Sequence, residues 1–105
     1  MKVVITGATG FVGSQMVPRF EKLGYELLLV GRDVGKLKRM YPLNTVCDYS
    51  DMSKCADRFD VLLHLAAQNN DKSVDLSEFE TANIGFLLEV GENAIRAGIP
   101  HFINL

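Results

Sequence analysis

The segment Thr6-Gly7-Ala8-Thr9-Gly10-Phe11-Val12-Gly13 closes an apolar run that begins at Val3 and opens a stretch of helical period. Three glycines at three-residue spacing exceed what a sharp strand-to-helix turn needs. Gly7 permits the tight turn, Gly10 removes a side chain that would keep the backbone from a pyrophosphate, and Gly13 lets helix and strand pack closely. The unpaired N–H groups at the helix start, with the positive end of its dipole, then form an anion site. A glycine trio alone is a weak signal. Its place directly after a hydrophobic strand gives it meaning.

The rest of the chain repeats that alternation. The runs Val3 to Thr6, Glu26 to Val30, Thr45 to Cys47, Val61 to Leu65 and His101 to Leu105 alternate with longer segments. All but the short third run are rich in Val, Ile and Leu without polar alternation, as in strands covered on both faces. The expectation is an α/β fold: a three-layer, doubly wound parallel sheet of about five strands in the order 3-2-1-4-5. Val12, Met16, Phe20 and Leu23 predict the apolar stripe of the first crossover helix, with Gly24 at its C-terminal cap. Pro18 falls on its solvent side and predicts a shorter or bent helix. Asp33 to Met40 reads as a short basic helix, and Asp51 to Ala56 as one or two turns. From Asp75 to Ala97 the set Phe79, Ala82, Phe86, Leu87, Val90, Ala94 and Ala97 has helical spacing; Asp75 and Glu78 form a capping box, and Gly98 with Pro100 stops it.

Composition removes several classes of function. In 105 residues, 48% are hydrophobic and 23% charged, so one globular domain spanning 1–105 is expected. Leu27 to Val30 is the longest apolar run, far short of the roughly 20 residues of a membrane helix. Eleven Lys and Arg against thirteen Asp and Glu leave a net charge of −2. With no basic cluster beyond Lys36, Lys38 and Arg39, neither nucleic acid nor membrane is an expected partner. Val3 to Ile5 is too short for a signal-peptide core, and the chain reads as cytoplasmic. Cys47 and Cys55 lack metal-ligand spacing and read as reduced, partly buried thiols; no metal is expected.

With these motifs in place the sequence resembles the short-chain dehydrogenase/reductase superfamily, in its extended and atypical branches: the NAD-dependent epimerase/dehydratases and the NmrA-like proteins. The likeness covers all 105 residues. It implies a Rossmann-like fold that binds NAD(P) across the strand tips. Members resemble one another in TGxxGxxG at the first turn, matched by Gly7, Gly10 and Gly13. They also carry an acidic residue after the third strand that meets the adenine, matched by Asp48. The fourth strand ends His64-Leu65-Ala66-Ala67, whose small residues in relatives let the cofactor approach, and Asn83 matches a helix position that contacts or supports it. Phe86-Leu87 replaces the relatives' Gly-Thr pair, so local packing differs there. The resemblance thus assigns to the cofactor Gly7, Thr9, Gly10, Phe11, Val12, Gly13, Arg32, Asp48, Tyr49, Leu65, Ala66, Ala67 and Asn83.

The tip of the second strand selects the cofactor. A carboxylate there accepts from the adenosine ribose 2′-OH, whereas an Arg pairs with a 2′-phosphate. Gly31 stands at the acidic position and Arg32 follows, as in NADP-preferring members, so NADP is favoured. NAD is the alternative if Asp33 turns inward instead. Arg32 also reads as a solvated helix start, Asp48 as a turn acceptor and Asn83 as a surface amide. His64, mid-run in an apolar strand, reads as a packed, hydrogen-bonded core histidine; His101 reads as solvent-facing.

Superfamily enzymes also carry a Ser or Thr after the fifth strand and a Tyr-x-x-x-Lys pair, in which the lysine cation lowers the tyrosine pKa. Neither is here: Tyr25, Tyr41 and Tyr49 are followed four residues on by Leu29, Thr45 and Ser53. No catalytic residue is therefore assigned. Hydride transfer on a small molecule, such as a nucleotide sugar, is the activity the resemblance implies for a longer chain. A non-catalytic NADP sensor of NmrA-like type is the alternative, and a flavodoxin-like phosphate binder is disfavoured by the spaced glycines. An uncovered fifth strand favours a truncated gene product or a partner over that edge. Homo-oligomerisation stays open, since dimer helices in relatives partly belong to the missing region.

Overall fold

Apolar strands without polar alternation need cover on both faces, and these obtain it by lining up in one parallel sheet. The computed structural model describes residues 1–56, 58–65, 90 and 95–104. They form β1 (Lys2–Thr6), α1 (Phe11–Lys22), β2 (Glu26–Val30), α2 (Val34–Met40), β3 (Thr45–Cys47), α3 (Met52–Cys55), β4 (Val61–His64) and β5 (His101–Asn104). The strands lie in the order β3-β2-β1-β4-β5, all parallel, with Thr6 level with Val30 on one side and His64 on the other. The expected architecture and strand order are both observed.

Alternation along each strand divides the core into two layers. One holds Val4, Leu28, Val30 and Leu62 beneath Met52, Ala56, Val90 and Ala97. The other holds Val3, Ile5, Leu27, Leu29 and Leu63 beneath Val17 of α1 and Leu37 of α2. Each such side chain, fully buried, contributes about 1.5–3 kcal/mol relative to exposure. The central strands therefore fix the tips on which the site is built.

The expected apolar stripe of α1 is corrected, and so is its expected shortening at Pro18. Gly13 and Val17 are its buried residues, with Met16 and Phe20 half-buried, while Val12 and Leu23 are exposed. The helix rolls because Gly13, lacking a side chain, lets the backbone itself seat on the turn. Pro18 is exposed as expected, yet α1 runs unbroken from Phe11 to Lys22 rather than shortened. Val17 anchors the turn before the proline, and a Schellman-type cap closes the turn after it. There Gly24 takes φ +79°, its N–H donates to Glu21, Tyr25 N–H donates to Phe20, and the Phe20 and Tyr25 rings stack 5.7 Å apart.

Other boundaries move by a residue or two. Asp33 is the cap of α2 rather than its first residue, and β4 ends at His64. Cys47 is buried, but Cys55 is exposed at the end of the single turn α3, which corrects the expectation that both thiols are partly buried. Val90, Ile95 and Arg96 are helical, and Gly98, at φ +72°, donates to Ile95 where the stop is expected. The capping pair Asp75 and Glu78 and the stripe residues Phe79, Ala82, Phe86, Leu87 and Ala94 lie outside the described residues. β5 pairs with β4 at the sheet edge, with Phe102 and Ile103 exposed. Among the described residues no helix is long and apolar enough to cross a membrane.

Candidate functional site

The β1–α1 turn separates the roles of its three glycines. Gly7 takes φ +79°, a left-handed conformation open to glycine at little cost, and its carbonyl accepts from Gly10 N–H at 3.0 Å. At Gly13 a Cβ would lie 2.1 Å from the Gly7 carbonyl oxygen and 2.7 Å from the Ala8 Cα, so the fold itself demands glycine. Gly10 is different. Its φ of −80° suits any residue, and a Cβ there would meet only the Gly7 oxygen, at an ordinary 3.4 Å. Nothing among the described residues requires that position to be bare.

Gly10 is the N-cap of α1 and supplies no side-chain acceptor. The amides of Phe11, Val12 and Gly13 begin the helix and have no carbonyl partner within it. No acidic residue occupies the first turn, and Arg19 and Lys22 sit at the opposite, negative end. The helix start is thus electropositive and exposed at Phe11 and Val12.

Beside this turn, at the C-terminal ends of β1 and β2, opens a cavity of about 330 Å³. Gly7, Ala8 and Thr9 form one wall, and Val30 and Gly31 the end of β2; Arg32, Asp33, Lys36 and Leu37 come from the start of α2, and Tyr49 from the loop after β3. Asp33 Oδ1 accepts from Lys36 N–H at 3.0 Å and so caps α2. A Cβ on Gly31 would stand 2.9 Å from Leu37 Cδ1, so the small residue there lets α2 close over the strand tip. At the far end of α2, the Tyr41 hydroxyl donates to the Ala8 carbonyl at 2.7 Å.

The loop after β3 is fixed by Asp48, whose Oδ1 accepts from Ser50 Oγ at 2.7 Å and Asp51 N–H at 3.0 Å. Those bonds, the one from Ser50 foremost, hold its carboxyl below the usual range. The turn-acceptor reading of Asp48 therefore holds, and Tyr49 is the neighbour that reaches the cavity wall. Across the sheet, Thr6 Oγ1 and His64 Nδ1 lie 2.6 Å apart in a buried pair. His64 is 3% exposed, and burial pushes its pKa below the usual value, as a core histidine requires. Leu65 donates its N–H to the Thr6 carbonyl and packs on the core. Ala66, Ala67 and Asn83 lie outside the described residues.

Comparison with known proteins decides the family: the model of the NAD dependent epimerase/dehydratase family matches residues 3–105. The chain belongs to that family. A curated relative, CDP-abequose synthase of Salmonella typhimurium, is 25% identical over 97% of this chain and 36% of its own length. Among solved structures, a UDP-glucose 4-epimerase of Thermotoga maritima crystallised with UDP-glucose superposes with a TM-score of 0.76 at 27% identity, covering 99% of this chain and 37% of that one. The Bordetella bronchiseptica enzyme WbmG, solved with NAD, gives 0.75 at 25% identity over 99% and 36%. This chain spans a little over a third of the length of these relatives.

Sequence reasoning singles out the turn and the tip of β2, which line this cavity, and does not single out Lys36, which lines it as well. A lysine in a short basic helix reads as solvated; only the closure of α2 over Gly31 brings it to the same cavity as Arg32. Of the residues assigned from sequence, Gly7, Thr9, Arg32 and Tyr49 meet at this cavity. Gly10, Phe11, Val12 and Gly13 form the adjacent helix start, while Asp48 and Leu65 are placed apart from the cavity wall. Among the described residues no cluster could hold a metal ion.

Proposed function

We propose that residues 1–105 are the cofactor domain of an epimerase/dehydratase-type oxidoreductase that binds NADP in preference to NAD and acts on a nucleotide sugar. The observation that carries the dinucleotide is Gly10: a position with an ordinary φ where, among the described residues, a Cβ would meet only the Gly7 oxygen at van der Waals distance, and whose bareness we therefore assign to a ligand. A pyrophosphate laid on the start of α1 needs that bareness, and it matches the exposed amides beside it. When bound, the dinucleotide supplies a reversible hydride acceptor for a substrate carbinol.

The chain's own residues bind and orient. The amides of Phe11, Val12 and Gly13 hold the pyrophosphate, and Thr9 flanks it. Val30, Gly31 and Leu37 form the apolar seat of the adenosine, with Tyr49 at its outer side. Arg32 and Lys36 hold the 2′-phosphate, Arg32 as a fork and Lys36 as a point charge. Asp48 fixes the loop that presents Tyr49; the family resemblance assigns Leu65, Ala66 and Ala67 to the nicotinamide side and Asn83 to contact or support of the cofactor. The nucleotide-sugar substrate is supported by relatives: one is named CDP-abequose synthase, and another was solved with UDP-glucose.

Calorimetric titration with NADP and with NAD tests this reading. NADP should bind more tightly, and at 100 times its Kd should add about 2.7 kcal/mol to stability. Absence of heat with both coenzymes would refute the dinucleotide site. An Arg32→Ala variant with unchanged NADP affinity would refute the preference for NADP alone.

A further inference from the structure

The hydrogen bond from Tyr41 to Ala8 joins the end of α2 to the β1–α1 turn, 33 residues away in sequence. Tyr41 directly follows α2, and its own N–H donates to the Leu37 carbonyl at 2.8 Å. Its ring is half-buried against the layer that holds Val17 and Leu37. Burial, with the Glu21 carboxylate in second place, pushes the hydroxyl above its usual pKa, so it stays a donor throughout the neutral range. The loop beyond is tied down as well, for Asn44 N–H donates to the Tyr41 carbonyl at 3.1 Å and Asn44 Nδ2 to Glu21 Oε1 at 2.9 Å. Tyr41 is held from several sides, and its hydroxyl is spent on one backbone carbonyl.

That carbonyl belongs to the peptide whose N–H is Thr9's. A trans peptide is planar, so its C=O and N–H point in opposite directions and cannot turn independently. Fixing the Ala8 oxygen toward Tyr41 therefore fixes the Thr9 amide away from it. Ala8 and Thr9 both line the cavity, beside the bare position at Gly10.

We infer that Tyr41 is a positioning residue for the diphosphate: through the Ala8–Thr9 peptide it aims an amide donor at the phosphate nearer the adenosine, and it locks the helix that carries Lys36 to the glycine turn. This rests on the dinucleotide reading above, and its test separates the two. The affinities of ADP and of adenosine are measured by titration for the wild-type chain and for Tyr41→Phe. Wild type should prefer ADP strongly. In the variant, ADP should weaken about tenfold, the worth of one charge-assisted hydrogen bond, with adenosine unchanged.

A variant that retains the full ADP-to-adenosine ratio overturns the role of Tyr41 and leaves the dinucleotide site standing. Equal weakening of both ligands also overturns it, because Tyr41 would then only shape the cavity. A wild-type chain that binds ADP no better than adenosine brings down the site and this inference together. Should Tyr41→Phe fail to fold, the nitrogen-15 spectrum of the wild type decides. Its Thr9 amide must shift with ADP and stay still with adenosine; an amide unmoved by bound ADP overturns the inference.

Discussion

Gly13 stands so close beneath Gly7 that a Cβ on it would lie 2.1 Å from the Gly7 carbonyl oxygen. The obstacle is backbone, and the turn it belongs to is fixed by the Gly10 to Gly7 hydrogen bond, so no flexible side chain can yield. Gly13→Ala should destabilise the domain by about 2 kcal/mol or more, at the upper part of the overpacking range. In a chain of this size that lowers the melting temperature by about 10 °C. Urea unfolding of the variant checks it, and a loss below half that value would mean the helix can lift off the turn freely.

Gly10→Ala should behave in the opposite way. Its backbone conformation is ordinary and its Cβ would have room, so stability should change by no more than about 1 kcal/mol, the scale of exchanging N-cap residues. Coenzyme affinity should nonetheless fall about tenfold or more, since the methyl group occupies the face where the pyrophosphate lies. Wild-type affinity in this variant would mean that the ligand never approaches residue 10.

The contrast between these glycines shows what was legible in the sequence and what was not. β1, β2 and β4 could be read because Val3 to Thr6, Leu27 to Val30 and Leu62 to His64 are buried on both faces, and runs this rich in Val, Ile and Leu have few other places. The turn could be read because three glycines exceed a turn's needs. The roll of α1 could not: periodicity weighs Val12 as apolar and Gly13 as neutral, whereas close packing prefers the residue with no side chain. Lys36 and Tyr41 escaped for a related reason. Their roles depend on α2 folding back over Gly31 and on a hydroxyl meeting a carbonyl at Ala8, and neither relation leaves a periodic trace. Asp48 was legible only as a pair of readings, and the hydrogen bonds from Ser50 and Asp51 establish the turn.

His64 predicts a pH dependence. Burial lowers its pKa in the folded chain, so the native state stays neutral where the unfolded chain, with a value near 6.5, takes up a proton. Below about pH 6.5 the unfolded state then binds more protons, and stability falls as pH falls, by at most about 1.4 kcal/mol per pH unit from this one group. Urea midpoints at pH 7 and pH 5.5 should lie closer together for His64→Gln than for wild type. Parallel losses in the two proteins would show that His64 is not the group responsible.

The two cysteines should differ sharply toward alkylation. Burial, aided by the neighbouring Cys55 thiol and by Asp48 and Asp51, pushes the Cys47 thiol up to about 12, leaving almost no thiolate at pH 8. Cys55 is exposed. Iodoacetamide should add one group to the folded chain, at Cys55, and a second only in denaturant. Rapid double labelling of the folded chain would contradict the buried position of Cys47 at the end of β3.

On the proposed reading, the choice between coenzymes would turn on three side chains at the start of α2. Arg32 and Lys36 share the cavity wall with Asp33, whose carboxylate spends one oxygen on the Lys36 N–H. A 2′-phosphate would place its charge among two cations and one anion; a 2′-hydroxyl would draw on the carboxylate only if Asp33 turned from the helix cap toward it. Arg32→Ala and Lys36→Gln should each weaken NADP by about 10-fold or more, the scale of a hydrogen bond to a charged group, and leave NAD nearly unchanged. The NADP losses should also shrink in high salt, because these positions are open to solvent. Asp33→Asn is the sharper test: it keeps an acceptor for the helix cap while removing the negative charge, so NADP should bind more tightly and NAD no worse. If the asparagine variant instead loses NAD while NADP was the weaker ligand all along, Asp33 is the ribose partner and the preference argued from Arg32 is reversed.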